Sequence, residues 1–394
     1  MANKPLQPAP GLTPTMNCAL RRRHLLLSLV TPLLLPWREG AAAQRPENLK
    51  PIEFPRDHGA HPESAIEWWY VTGFLSDQAK WGSASSTPSF GFQVTFFRAR
   101  VPSTQSMQSA FAPKQLLFAH AAITDLVGQR LLHDQRIARV AGKAEVDLGR
   151  FSIDDTLLQL GDWSLSRQAP SYQARVATAQ FELDLQLEPT QAVLLQGDQG
   201  WSRKSQDPSR ASQYYSLPQL KAQASLHTKR GKQQLQGLAW LDHEWSNALL
   251  APDAVGWDWI GMNLSDGAAL TAFQLRDRHG KAVWAGGSFR SAQGALSVFR
   301  AHEVQFQPAR WWKSPHSGAR YPVAWSLRLS AAGLSPKYHE LQVATLLDDQ
   351  ELDSRRSTGT IYWEGLCQLL SSEQQAIGLG YLEMTGYASA LRLP

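Results

Sequence analysis

The chain has 394 residues, of which 43% are apolar, and a formal net charge of +5. That length allows two or three domains with real hydrophobic cores. The basic residues are scattered, and no Lys/Arg cluster interleaved with aromatics runs through the body of the chain, so nucleic acid is not expected as a partner.

The N-terminus predicts a targeting segment over 1–43. Arg21, Arg22 and Arg23 precede an apolar run from Leu25 to Leu35, and small residues follow at Ala41, Ala42 and Ala43. A basic region, a short apolar region and an Ala-x-Ala site make a cleavable secretory signal peptide. The arginines directly before the apolar run point to the twin-arginine route, and the expected location is periplasmic or secreted. Cys18 would leave with the signal, so the mature chain would keep only Cys367, in an apolar strand-like setting that predicts a buried structural thiol.

The rest of the chain reads as all-β. Phe90 to Phe97 alternates, and Phe181 to Glu188 does so more clearly. Gly82–Ser89 and Gly197–Ser212 read as loops. Ala269 to Arg276, a turn at Asp277–Gly280 and Lys281 to Trp284 make a hairpin pattern, and Trp325–Leu329 and Leu341–Leu346 add two strands. Many short strands of this kind predict closed antiparallel barrels that can enclose a ligand. The expected domains are 44–246 and 247–394, with a linker at Asn247–Asp253.

Fifteen tryptophans stand out, many in pairs. Indole walls suit an apolar conjugated or polycyclic ligand and stabilise a carbocation through the ring quadrupole. In Glu67-Trp68-Trp69-Tyr70, Glu67 and Trp69 share one strand face and Trp68 and Tyr70 the other. A Glu67 turned inward would be desolvated, with a raised pKa, and so a candidate proton donor; the other reading is a surface or ion-paired carboxylate, since buried Glu is rare. In Trp240-Leu241-Asp242-His243-Glu244-Trp245, Trp240, Asp242 and Glu244 share a face, and Leu241, His243 and Trp245 share the other; alternation alone does not say which is inward. His243 is a candidate acid or base. The same segment can equally be read as an ion-pair and indole cluster closing a barrel.

These motifs, with Trp257-x-Trp259 and the closing Gly380-Tyr381-Leu382-Glu383-x-Thr385-Gly386-Tyr387, resemble the AttH/CrtC-like family, which includes carotenoid 1,2-hydratase-like proteins and "predicted secreted hydrolases". The resemblance spans essentially the whole mature chain. It implies two tandem lipocalin-like antiparallel β-barrel domains, an apolar isoprenoid or lipid ligand, and hydration of a carbon–carbon double bond with neither cofactor nor metal. It also implies a functional link to an exporter-type ABC transporter. His243 and Trp245 match a His-x-Trp pair of the hydratases, and Asp258 is the best match for their acid. The expected catalytic set is therefore His243, Asp258, Asp242 and Glu67, and the expected ligand-binding set Trp68, Trp69, Tyr70, Trp245, Trp257 and Trp259. A non-enzymatic periplasmic lipid carrier is the alternative. A hydrolase finds no support in a Gly-x-Ser-x-Gly or His-Glu-x-x-His motif, since the sequence has neither.

Overall fold

The computed structural model describes residues 50–77, 88–109, 111–140 and 149–391. The targeting segment 1–43, with Cys18, and residues 82–87 of the first expected loop lie outside them. The described chain is built of strands in two sheets. The first has 13 strands, all between Ile66 and Ala248; the second has 10, all between Gly256 and Met384.

The two sheets follow one plan. In the first, the opening strand Ile66–Asp77 pairs antiparallel with the next strand, Phe90–Arg100, on one side and with the last strand, Gly231–Ala248, on the other. In the second, Gly256–Leu264 pairs antiparallel with the next strand, Ala269–Arg276, and with the last, Ala376–Met384. The chain therefore repeats an architecture with no matching repeat in its letters. Each sheet curls into a lipocalin-like barrel around its own core. Trp69, Trp163, Leu241 and Trp245 belong to the first core, and Met262, Trp325, Trp363 and Cys367 to the second. Within Gly197–Ser212, read as a loop, Trp201–Arg203 forms a short strand against Ala211–Thr228.

A third apolar layer lies between the barrels. It contains Tyr70, Phe74 and Trp240 from the first sheet and Trp259, Phe273, Leu366 and Tyr381 from the second. Strand parity produces it, because successive side chains leave opposite faces. Leu241 goes into the first core and Trp240 into the shared layer; Ile260 goes into the second core and Trp259 into the shared layer. The approach is close: a Cβ at Gly91 would lie 2.6 Å from the Tyr381 hydroxyl, so only glycine fits there. Polar bonds also cross the layer. His120 Nδ1 and the Tyr362 hydroxyl are 2.8 Å apart, and Asn263 Nδ2 donates to the Ala239 carbonyl at 3.0 Å.

Candidate active site between the barrels

The shared layer opens into a cavity of about 420 Å³, within the range of small-molecule pockets. Trp68 and Tyr70 line it from the first barrel, and Trp257, Trp259, Phe273 and Leu275 from the second. Four carboxyl residues, Glu67, Asp242, Glu244 and Glu383, are also part of its lining, with the cations Arg98 and Lys204. The strand Gly231–Ala248 thus turns Trp240, Asp242 and Glu244 toward the second barrel and Leu241, His243 and Trp245 into the first, and both faces are interior.

Asp242 is 3% exposed. Its Oδ1 accepts hydrogen bonds from Ser216 Oγ at 2.5 Å and Trp240 Nε1 at 2.6 Å, and its Oδ2 from the Tyr214 hydroxyl at 2.7 Å. Burial pushes its pKa up to about 7, against the pull of those three donors, with the Glu244 charge adding to the rise. Because Oδ1 already holds two donors, a proton on this carboxyl belongs on Oδ2. Glu383 is likewise raised to about 7, by burial first and then by Asp242 and Glu244, with the Trp257 indole opposing. Glu244 differs in having a cation, Lys204 Nζ, at 2.8 Å, as well as the Ser212 hydroxyl. Behind Tyr70 and Tyr362 lies Glu364, directly across the strand pair from Glu383. Burial, and then the Glu383 charge, raises it well above the carboxylate range. The cavity therefore joins apolar rings to carboxyls that hold protons near neutral pH, an arrangement suited to general acid catalysis.

Glu67 is fully buried on the first-barrel side, and of its two readings the structure has the ion-paired carboxylate and not the raised-pKa proton donor. Arg98 Nε donates to Oε2 at 2.7 Å, while His61 Nδ1 and His243 Nε2 lie 2.7 and 2.9 Å from Oε1. Burial pushes Glu67 up, but the hydrogen bonds and charge of His243 and His61 outweigh it and hold the group as a carboxylate. His243 stacks on Trp69, with ring centroids 4.4 Å apart, and Trp245 stacks on His61 at 3.7 Å. Burial lowers the His243 pKa to about 4 against the pull of Glu67, so the ring is neutral at pH 7. His243, Trp69 and Trp245 thus belong to the first core and do not line the cavity.

Asp258 occupies a third place. It faces the inside of the second barrel, paired with Arg276 at 2.7 Å and bonded to Gln274 and Tyr387. Burial raises its pKa, with Arg276 opposing. The structure does not bring His243 and Asp258 together: parity sends each into a different barrel, away from the ligand wall that Trp257 and Trp259 share.

Among the described residues, His61, Glu67 and His243 form the one cluster whose spacing could hold a metal ion. Asp57 contacts the other His61 nitrogen at 3.2 Å, and the Tyr215 hydroxyl the other His243 nitrogen at 3.1 Å. With Arg98 on the other Glu67 oxygen, the polar atoms of this cluster all have partners within the chain, so it reads as a closed hydrogen-bond network around the Glu67–Arg98 ion pair.

Glu364, Glu383 and Tyr214 were not singled out as site residues from the sequence. The usable signal was an acidic residue inside an otherwise apolar strand, as in Tyr362-Trp363-Glu364-Gly365 and Tyr381-Leu382-Glu383, since unpaired buried Glu is rare.

Comparison with known proteins agrees with this architecture. A crystal structure of an AttH protein from Nitrosomonas europaea superposes with a TM-score of 0.76 at 40% identity, covering 88% of this chain and 100% of that one. Kievitone hydratase from Nectria haematococca matches at 14% identity and TM-score 0.61, over 87% of this chain and 94% of that one. CghA matches at 11% identity and TM-score 0.51, over 84% and 90%. The last two likenesses are of fold. A search of curated proteins finds no match. The model of the AttH-like family matches residues 45–387, nearly the whole of the described barrels and the turns between them, and the chain belongs to that family.

Proposed function

We propose that this chain is an exported protein that holds an apolar isoprenoid or lipid ligand between its barrels and hydrates a carbon–carbon double bond there. The observation that carries the reading is Asp242, a carboxyl with a pKa raised to about 7 on the wall of a cavity otherwise rich in indole and phenol rings. The alkene π pair takes the proton from Asp242, forming a C–H bond and a tertiary cation. The faces of Trp68, Trp257 and Trp259 stabilise that cation. A water oxygen forms the C–O bond and releases its proton to the Glu383 carboxylate. Asp242 and Glu383 feel each other's charge, so the pair holds about one proton at neutral pH, and its passage from Glu383 to Asp242 resets the site. The net change is addition of one water.

Export rests on the arginines and apolar run of residues 1–43, and service to an exporter-type ABC transporter on the family resemblance. A carrier without chemistry is the second reading, favoured by the predominance of aromatic and aliphatic side chains in the cavity wall. The two are separated by incubating purified mature protein with acyclic carotenoids and shorter isoprenoids and analysing products by mass spectrometry. Hydration predicts a product heavier by one water, reduced about 10²–10⁴-fold in Asp242→Asn and in Glu383→Gln. Ligand that co-purifies unchanged, with no such product, would replace the enzyme with the carrier.

A further inference from the structure

The polar atoms of the shared layer are satisfied unevenly. Tyr70 is 5% exposed and Glu364 2%. Burial raises both pKa values, so both groups are neutral and each can donate and accept a hydrogen bond. The Tyr70 and Tyr362 hydroxyls both lie beside the Glu364 carboxyl and interact with it, but neither contact closes to full hydrogen-bond geometry, which leaves the Tyr70 hydroxyl and both Glu364 oxygens short of a well-formed partner. Gln93 Oε1 and Thr72 Oγ1, on paired positions of the adjoining strands, also lack partners. Gln93 Nε2, by contrast, donates to Thr95 Oγ1 at 3.0 Å and to the Tyr362 hydroxyl at 3.3 Å, so its side chain is fixed. Buried polar groups are nearly always paired, so a cluster of orphans calls for an external group. Tyr70 lies on the cavity wall, which gives that group its route in.

Resting on the cavity reading above, we propose that Tyr70 and Glu364 form a polar terminus of the inter-barrel cavity that binds a hydroxyl group carried by an otherwise apolar ligand. A hydroxyl both donates and accepts, as these two neutral groups require. The ligand class this selects is a long apolar alcohol rather than a plain hydrocarbon. A water molecule offers the same chemistry, and the test separates the two.

The test titrates purified protein with farnesol and with farnesene, a C15 alcohol and a C15 hydrocarbon, following quenching of the cavity tryptophans. The expected result is that farnesol binds at least about tenfold more tightly. Tyr70→Phe and Glu364→Leu should reduce that preference to within about twofold, by weakening farnesol binding much more than farnesene binding. Glu364→Gln, which still donates and accepts, should retain the preference. If Glu364→Leu does not fold, Tyr70→Phe carries the comparison. Equal affinities in the wild type, or a preference indifferent to both substitutions, would overturn the proposal and leave the cavity reading standing. Preference for farnesene, strengthened in the variants, would mean that the terminus holds water and would also overturn it. Binding of neither probe would remove the cavity reading and the terminus together.

Discussion

Glu67 and Asp242 are both buried carboxyls, on adjacent strands, and burial pushes both pKa values upward. Their partners decide the outcome. Glu67, inside the first barrel, has Arg98 and two histidines and stays charged. Asp242, between the barrels, has only neutral donors and shares its surroundings with Glu244 and Glu383, so it holds its proton to about pH 7. The first arrangement is a closed network whose demands are met within the chain. The second is poised to give a proton away. The role of a buried acid therefore follows from the charges of its partners rather than from its burial.

The comparison breaks most visibly in activity. Asp242→Asn should reduce hydration about 10²–10⁴-fold with folding intact, while Asp258→Asn, in the second barrel, should retain turnover once its stability is allowed for; product mass spectrometry beside urea denaturation separates the two effects. Stability should show the converse. Arg98→Met leaves Glu67 buried without its cation and should cost about 3–5 kcal/mol in urea unfolding.

The pH dependence sharpens the contrast. Asp242 and Glu383 have folded pKa values of about 7, above their unfolded ones, so their contribution is complete below about pH 4 and is lost as pH rises to 7. His58 and His243 have folded values of about 4, below their unfolded ones, so their contribution is complete above about pH 6.5 and is lost as pH falls toward 4. Relative to wild type, the double variant Asp242→Asn/Glu383→Gln should gain on the order of 1–3 kcal/mol between pH 5 and pH 8, read from melting curves across that range. The smallest effect is expected at Glu364. With no well-formed hydrogen bond to lose, Glu364→Gln should change stability by no more than about 1 kcal/mol in the same urea assay, where a larger loss would show a partner that the geometry does not.

Much of this was legible in the letters. The alternation of Phe181–Glu188 appears as strictly alternating burial, and the face shared by Trp240, Asp242 and Glu244 follows from parity. What alternation could not say was that the strand Ile66–Asp77 and residues 239–246 of the strand Gly231–Ala248 are buried on both faces, one against their own core and one against the other barrel. A strand between two cores has no solvent face, so its inward side is not marked by polarity. Distance in sequence hid the rest. Glu364 and Glu383 are separated by a strand and a turn, and only the register of the final hairpin sets them opposite each other. His243 and Asp258 seemed close enough to cooperate, but the chain passes from one sheet to the other between them.

The central claim is that ligand chemistry belongs between the barrels rather than inside either one. It is tested most directly by a crystal structure with a bound brominated isoprenoid, located by the anomalous signal of its bromine. The account predicts the bromine among Trp68, Trp257 and Trp259, within reach of Asp242. A bromine inside the first barrel, against Trp69 and Trp245 beside His243, would contradict it.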